Sequence, residues 1–142
     1  MIWPMKLRLP HIIASCLLAA AISAFAISAS AASSLKITNC IKSVSSPKQL
    51  TLTCGDGNTV LKGLTWTNFG KPTASAKGTF VINLCEPNCA SGKDASYPVT
   101  VKATSAKKCK GGSVYNRLTL TFTARKPKAS NRLTSWTLGC PT

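Results

Sequence analysis

Seven cysteines divide into one and six, and that division limits what the chain can fold into. Cys16 lies within an N-terminal export signal, whereas Cys40, Cys54, Cys85, Cys89, Cys109 and Cys140 fall in the body of the chain. An even number of cysteines in a small exported domain implies a disulfide framework in an oxidising compartment. The signal itself reads from three features. Lys6 and Arg8 form a positive leading region, Ile12 to Ile27 is an apolar run, and Ala29-Ser30-Ala31 supplies the small-x-small pattern, so cleavage is expected after Ala31. The apolar run of 16 residues is shorter than the ~20 needed to span a bilayer as a helix. Ile13-Ala14-Ser15-Cys16 has the outline of a lipidation motif but precedes the apolar run instead of following it, which favours cleavage over a lipid on Cys16.

The expected mature chain, residues 32–142, has 111 residues, a length suited to one domain with its own core. It carries 16 basic residues against three acids (Asp56, Glu86 and Asp94), a net charge of +13. Two lysine-rich clusters stand out, Lys107-Lys108-Cys109-Lys110 and Arg125-Lys126-Pro127-Lys128. Such an excess predicts attraction to polyanions, with Lys107, Lys108, Lys110, Arg125, Lys126 and Lys128 as the candidate binding residues. An anionic cell-wall polymer or lipid surface is the expected partner. No zinc-finger, helix-turn-helix or aromatic RNA-binding strand motif is visible, so no specific nucleic-acid partner is expected.

After the signal, helical periodicity is almost absent and period-2 alternation recurs. Leu50-Thr51-Leu52-Thr53 alternates, Leu118 to Thr123 sets Leu118, Leu120 and Phe122 against three threonines, and Thr79 to Cys85 puts Phe80, Ile82 and Leu84 on one side. Val99 and Val101 alternate with Thr100 and Lys102, as do Trp136 and Leu138 with Ser135 and Thr137. These are signatures of half-buried antiparallel strands. Turn residues separate them at Ser45-Ser46-Pro47, Gly55-Asp56-Gly57-Asn58, Gly70-Lys71-Pro72, Ser91 to Asp94 and Lys110-Gly111-Gly112. The expected fold is all-β: a single antiparallel sandwich, immunoglobulin-like or a partly open barrel, of about seven strands stapled by three disulfides. Chain order favours the pairs Cys40–Cys54 around a hairpin, Cys85–Cys89 around Glu86-Pro87-Asn88, and Cys109–Cys140 tying the tail to the lysine-rich turn.

Catalysis finds little support in the residue inventory. His11, the only histidine, leaves with the signal, so no His-dependent triad or dyad can be assembled. The three acids all lie in turn segments, where turn chemistry and solvation are their ordinary roles. A metal site lacks paired ligands: Cys85-x-x-x-Cys89 is the one short cysteine spacing, and Asp56 with Asn58 offers too few hard oxygens for calcium. A non-enzymatic, monomeric protein without a cofactor or metal is therefore expected. Trp66-x-x-Phe69-Gly70 is the candidate aromatic platform for sugar rings, although core packing is the commoner use of such residues. A second functional expectation is a protein-binding module, inhibitor or effector, that presents the Cys85–Cys89 loop as a rigid element.

One stretch carries a family pattern. Cys54-Gly55-Asp56-Gly57-Asn58, Trp66-Thr67-Asn68-Phe69, Ala76-x-Gly78 and Cys85-x-Pro87-x-Cys89-Ala90-x-Gly92 appear in order between residues 40 and 103. The segment resembles small secreted or lipid-anchored actinobacterial proteins with a C-x-D-x-N, W-x-x-W, A-x-G, C-x-P-x-C-A-x-G signature. The resemblance implies an extracellular or envelope location and a β-rich fold, and no particular chemistry. This chain departs from the pattern at Phe69, where a second tryptophan is usual, and the Cys109–Cys140 pair and lysine-rich tail lie beyond the shared segment.

Overall fold

The computed structural model describes residues 34–128 and 130–142. The expected export signal, its expected cleavage position near Ala31 and Cys16 lie outside the described residues. The chain forms β1 (Ile37–Asn39), β2 (Lys42–Val44), β3 (Leu50–Thr51), β4 (Thr59–Thr67), β5 (Ala74–Asn83), β6 (Asp94–Cys109), β7 (Gly112–Phe122), a single helical turn α1 (Ser130–Leu133) and β8 (Ser135–Thr137). β3 to β8 make one six-stranded sheet in simple sequence order, every pair antiparallel. β1 and β2 form a separate two-stranded ribbon. The order contains no crossover, so of the two expected arrangements the sheet takes the partly open one, a curled half-barrel.

Alternation drives the curl. One face of the sheet carries Leu61, Leu64, Ala74, Ala76, Phe80, Val99, Val101, Ala103, Leu118 and Leu120, and this concave face is the core. Leu35, Ile37, Leu50, Tyr115 and Leu138 close over it. The segment before β1 docks by hydrogen bonds from the Lys36 amide to the Ser113 carbonyl and from the Tyr115 amide to the Lys36 carbonyl. Tyr115 is fully buried. Its hydroxyl donates to the Lys71 carbonyl at 2.6 Å and accepts from the Gly70 amide at 2.9 Å, which pins the β4–β5 connection. Burial holds this phenol above its ordinary titration range. No buried side-chain nitrogen or oxygen among the described residues lacks a partner.

β4 changes face midway. Register runs Lys62↔Thr79 and then Thr65↔Lys77, so Gly63 and Leu64 together oppose Gly78. Gly63 has φ of +62°, a left-handed conformation that suits a glycine at the first position of a bulge. The bulge turns Leu64 into the core, and its amide bonds to the Lys48 carbonyl instead of to β5. Gly78 makes room for this. A β-carbon there would stand 2.8 Å from the Lys62 carbonyl oxygen and 2.9 Å from Leu64 Cδ2. Gly78→Ala is thus expected to destabilise the domain by about 1–3 kcal/mol through overpacking. The change should appear as a lower denaturation midpoint at unchanged m-value. Thr79→Ala, one residue along on the opposite face, should stay within about 0.5 kcal/mol.

Pro98 sits within a strand that has neighbours on both sides, a position that normally excludes proline. Its carbonyl accepts from the Thr123 amide just past the end of β7, so its missing donor faces a place where the ladder has already ended. The three disulfides join Cys40–Cys54, Cys85–Cys89 and Cys109–Cys140, across sequence separations of 14, 4 and 31 residues. Bridges of this kind fit an oxidising environment.

Candidate functional site

The β5–β6 connection, residues 84–93, is organised by the side chain of Asn83. Its Oδ1 accepts from the Cys85 amide at 2.8 Å and its Nδ2 donates to the Cys89 carbonyl at 3.1 Å. The Cys85–Cys89 bridge closes the turn, and Asn88 Oδ1 accepts from both the amide and the hydroxyl of Ser91. Gly92 packs so tightly under Asn83 and the Asn88 carbonyl that a β-carbon would collide with both. Glu86, Pro87 and Asn88 project from this frame, all exposed.

The candidate platform residues Trp66 and Phe69 do come together, but edge to face. Their ring centroids are 5.0 Å apart with planes at 78°, and Phe69 meets Tyr115 in the same manner at 5.6 Å. Trp66 Nε1 donates to the Pro47 carbonyl at 2.8 Å. Both rings are half-buried and pack on the core, so they do not offer two coplanar faces for stacking.

The two lysine-rich clusters are separated. Lys107, Lys108 and Lys110 occupy the tip of the β6–β7 hairpin, where Cys109 pairs with Gly112. Arg125, Lys126 and Lys128 follow the far end of β7, whose 11 residues separate the two clusters by roughly 33 Å along the strand. Arg125 is partly engaged, because its guanidinium stands 5.6 Å from the centroid of the Tyr97 ring. A depression of about 580 Å³ lies beside the hairpin tip, lined by Ile41, Lys42, Ser43, Cys109, Lys110 and Pro141 among others.

The acids gather at the opposite end of the sheet from that tip. Asp56 lies in the β3–β4 connection, Glu86 in the β5–β6 connection, and Asp94 opens β6 opposite Asn83. These segments are neighbours, since the Asn83 amide donates to the Asn58 carbonyl. Asp56 Oδ1 and Oδ2 accept from the backbone amide and the side-chain Nδ2 of Asn58 at 3.0 and 2.9 Å. The backbone bond from Asn58, followed by a contribution from the Thr53 hydroxyl, holds this exposed carboxyl below the usual range. Among the described residues no group of three or more His, Cys, Asp or Glu is placed to hold a metal ion.

Sequence reading missed the convex face of the sheet. Register places Thr104, Arg117 and Thr137 in one cross-strand row. The next row is Thr67, Ser75, Lys102, Thr119 and Ser135, and the one after it is Thr65, Lys77, Thr100 and Thr121. A fourth row holds Lys62, Thr79 and Pro98. Beyond it come the apolar pair Val60–Val81 with Ser96, and then Asn83 with Asp94 at the rim. A shallow groove on this face is lined by Thr65, Thr67, Ser75, Ala76, Lys77 and Thr100. The alternating threonines were the available signal, since each apolar residue turned inward leaves its neighbour turned outward. No family model, no curated protein and no solved structure matches this chain.

Proposed function

We propose that the chain is an exported, non-enzymatic β module that electrostatics retains at an anionic cell-envelope polymer or a comparable polyanion. One observation carries the reading. All three acids of the expected mature chain sit in neighbouring segments at one end of the sheet, which leaves the hairpin tip and most of the convex face with cations alone. A protein optimised only for solubility intersperses both signs. The disulfide framework supports export, and the loss of the sole histidine with the signal leaves little for acid–base catalysis.

Retention on an immobilised anionic polymer should fall steeply between about 50 and 200 mM salt, because each phosphate or carboxylate contact releases a counterion. Binding to purified cell wall that ignores salt over that range would contradict the electrostatic reading. A second reading, a protein-binding module, is favoured by the rigidity of the Cys85–Cys89 loop. Asn83 and the bridge fix its backbone before any partner arrives, which lowers the ordering cost of association. Exchange of Glu86-Pro87-Asn88 for Gly-Ser-Gly separates the two, since it leaves polymer retention intact and abolishes capture of a loop-reading partner.

A further inference from the structure

We infer that the convex face of the sheet is a track for one linear polyphosphodiester with three carbons between its phosphates, a polyol-phosphate chain. This rests on the polyanion reading and gives that reading a site. The four cations on the face are not scattered. Lys62 stands on β4, Lys77 on β5, Lys102 on β6 and Arg117 on β7, one to each long strand. Register makes each the diagonal neighbour of the next. Lys62 faces Thr79, two residues from Lys77; Lys77 faces Thr100, two from Lys102; Lys102 faces Thr119, two from Arg117. Diagonal neighbours two residues apart are about 7–8 Å from one another, so the four form a line of roughly 22 Å. All four are exposed. Arg117 makes a long bond of 3.4 Å to the Ser135 hydroxyl, and none of the four is held in an ion pair among the described residues.

The period selects the ligand. Phosphates linked through three carbons lie about 7 Å apart in an extended chain, since they are separated by six bonds of roughly 1.5 Å foreshortened by tetrahedral angles. That step matches the cation spacing, whereas a charge on every disaccharide or a dense inorganic chain does not. Serine or threonine flanks each cation across the strand, so hydroxyl donors lie beside each point where a phosphate would sit. Arg117 adds a fork suited to two phosphate oxygens. Curvature narrows the choice further. The outer side of a curled sheet is convex, so a flat membrane or a stiff duplex touches it over a short arc, while a flexible chain can follow the diagonal. Single-stranded nucleic acid shares the phosphate step but gains much of its affinity from stacking on aromatic rings. The rows of this face hold lysine, arginine, serine, threonine, valine and proline, with Asn83 and Asp94 at the rim and no aromatic ring to stack on.

The test uses the oxidised chain and a fluorescent glycerol-phosphate oligomer of defined length, with affinity measured across a salt series. Wild type should show a slope of log K against log salt of about −3, as expected for four contacts to a flexible chain. Lys62→Gln, Lys77→Gln, Lys102→Gln and Arg117→Gln combined should weaken binding by two to three orders of magnitude, at about fivefold per charge. The single change Lys102→Glu should already cost more than tenfold at an unchanged melting temperature. Lys107→Gln, Lys108→Gln and Lys110→Gln combined remove nearly as much charge from the hairpin tip and should cost tenfold or less. If the hairpin triple weakens binding as much as the face quadruple, the track is wrong while the polyanion reading stands. A single-stranded oligonucleotide or an anionic lipid vesicle that binds as tightly as the glycerol-phosphate oligomer, with equal loss in the quadruple, overturns the ligand assignment. If wild type binds none of the three probes, the polyanion reading fails and the track fails with it.

Discussion

Reduction of its three disulfides should unfold this domain at physiological temperature. The bridges close loops of 14, 4 and 31 residues in sequence separation. In the chain-entropy account these restrict the unfolded chain by about 3, 2 and 3–4 kcal/mol respectively. Their combined effect is comparable to the whole net stability of an ordinary domain, about 5–15 kcal/mol. The core is poorly placed to compensate, because three of its positions on the central strands are alanine (Ala74, Ala76 and Ala103). Denaturant melts with and without a phosphine reductant, followed by circular dichroism in the strand region, measure this directly. Cys109→Ala with Cys140→Ala should lose the most of any single bridge, and Cys85→Ala with Cys89→Ala the least. A reduced protein that still unfolds cooperatively, with its midpoint hardly moved, would show that the packed face alone sustains the fold.

Among point substitutions, Phe80→Ala should be the most damaging on the concave face. Phe80 is fully buried, and its ring meets Phe122 edge to face at 5.4 Å and Tyr97 at 6.5 Å. Truncation of a buried phenylalanine costs about 3–5 kcal/mol, from lost transfer energy and the cavity left behind. Here two other rings lean on the missing one, and Arg125 covers Tyr97 from outside, so collapse into the space requires three groups to move together. The drop should be visible by calorimetry as a lower melting temperature by more than ten degrees, given about 4–8 degrees per kcal/mol for a domain near this size. Phe80→Leu should recover more than half of the loss.

Much of the architecture was legible where burial is one-sided. The Leu118 to Phe122 alternation marks a long strand of the sheet, β7, and the glycine- and proline-rich stretches fall between strands as their turn chemistry requires. Other elements escaped for identifiable reasons. β4 hides because the bulge at Gly63 shifts its inward residues from Thr59 and Leu61 to Leu64 and Trp66, so no single period describes it. β6 was read only from Val99 to Lys102, since Pro98 interrupts the pattern and its distal half is lysine-rich and exposed. β1 and β2 are three residues each, too short for a period to emerge. The disulfide pairs could be ordered by proximity along the chain because the sheet is a meander, in which neighbours in sequence are neighbours in space. The charge pattern fails for the opposite reason. Residues 62, 77, 102 and 117 share no sequence motif and align only once four strands are in register, whereas the conspicuous lysine clusters end up at opposite ends of one strand.

The margins of the large sheet bear on how the protein behaves at high concentration. β3 and β8 cover its two outermost long strands with only two and three residues, and Lys36 occupies the part of β7 that β8 leaves free. Backbone groups that might otherwise recruit a second molecule into a growing fibril are therefore already satisfied or interrupted. A β protein built in this way can accumulate at high local density without templating its own aggregation.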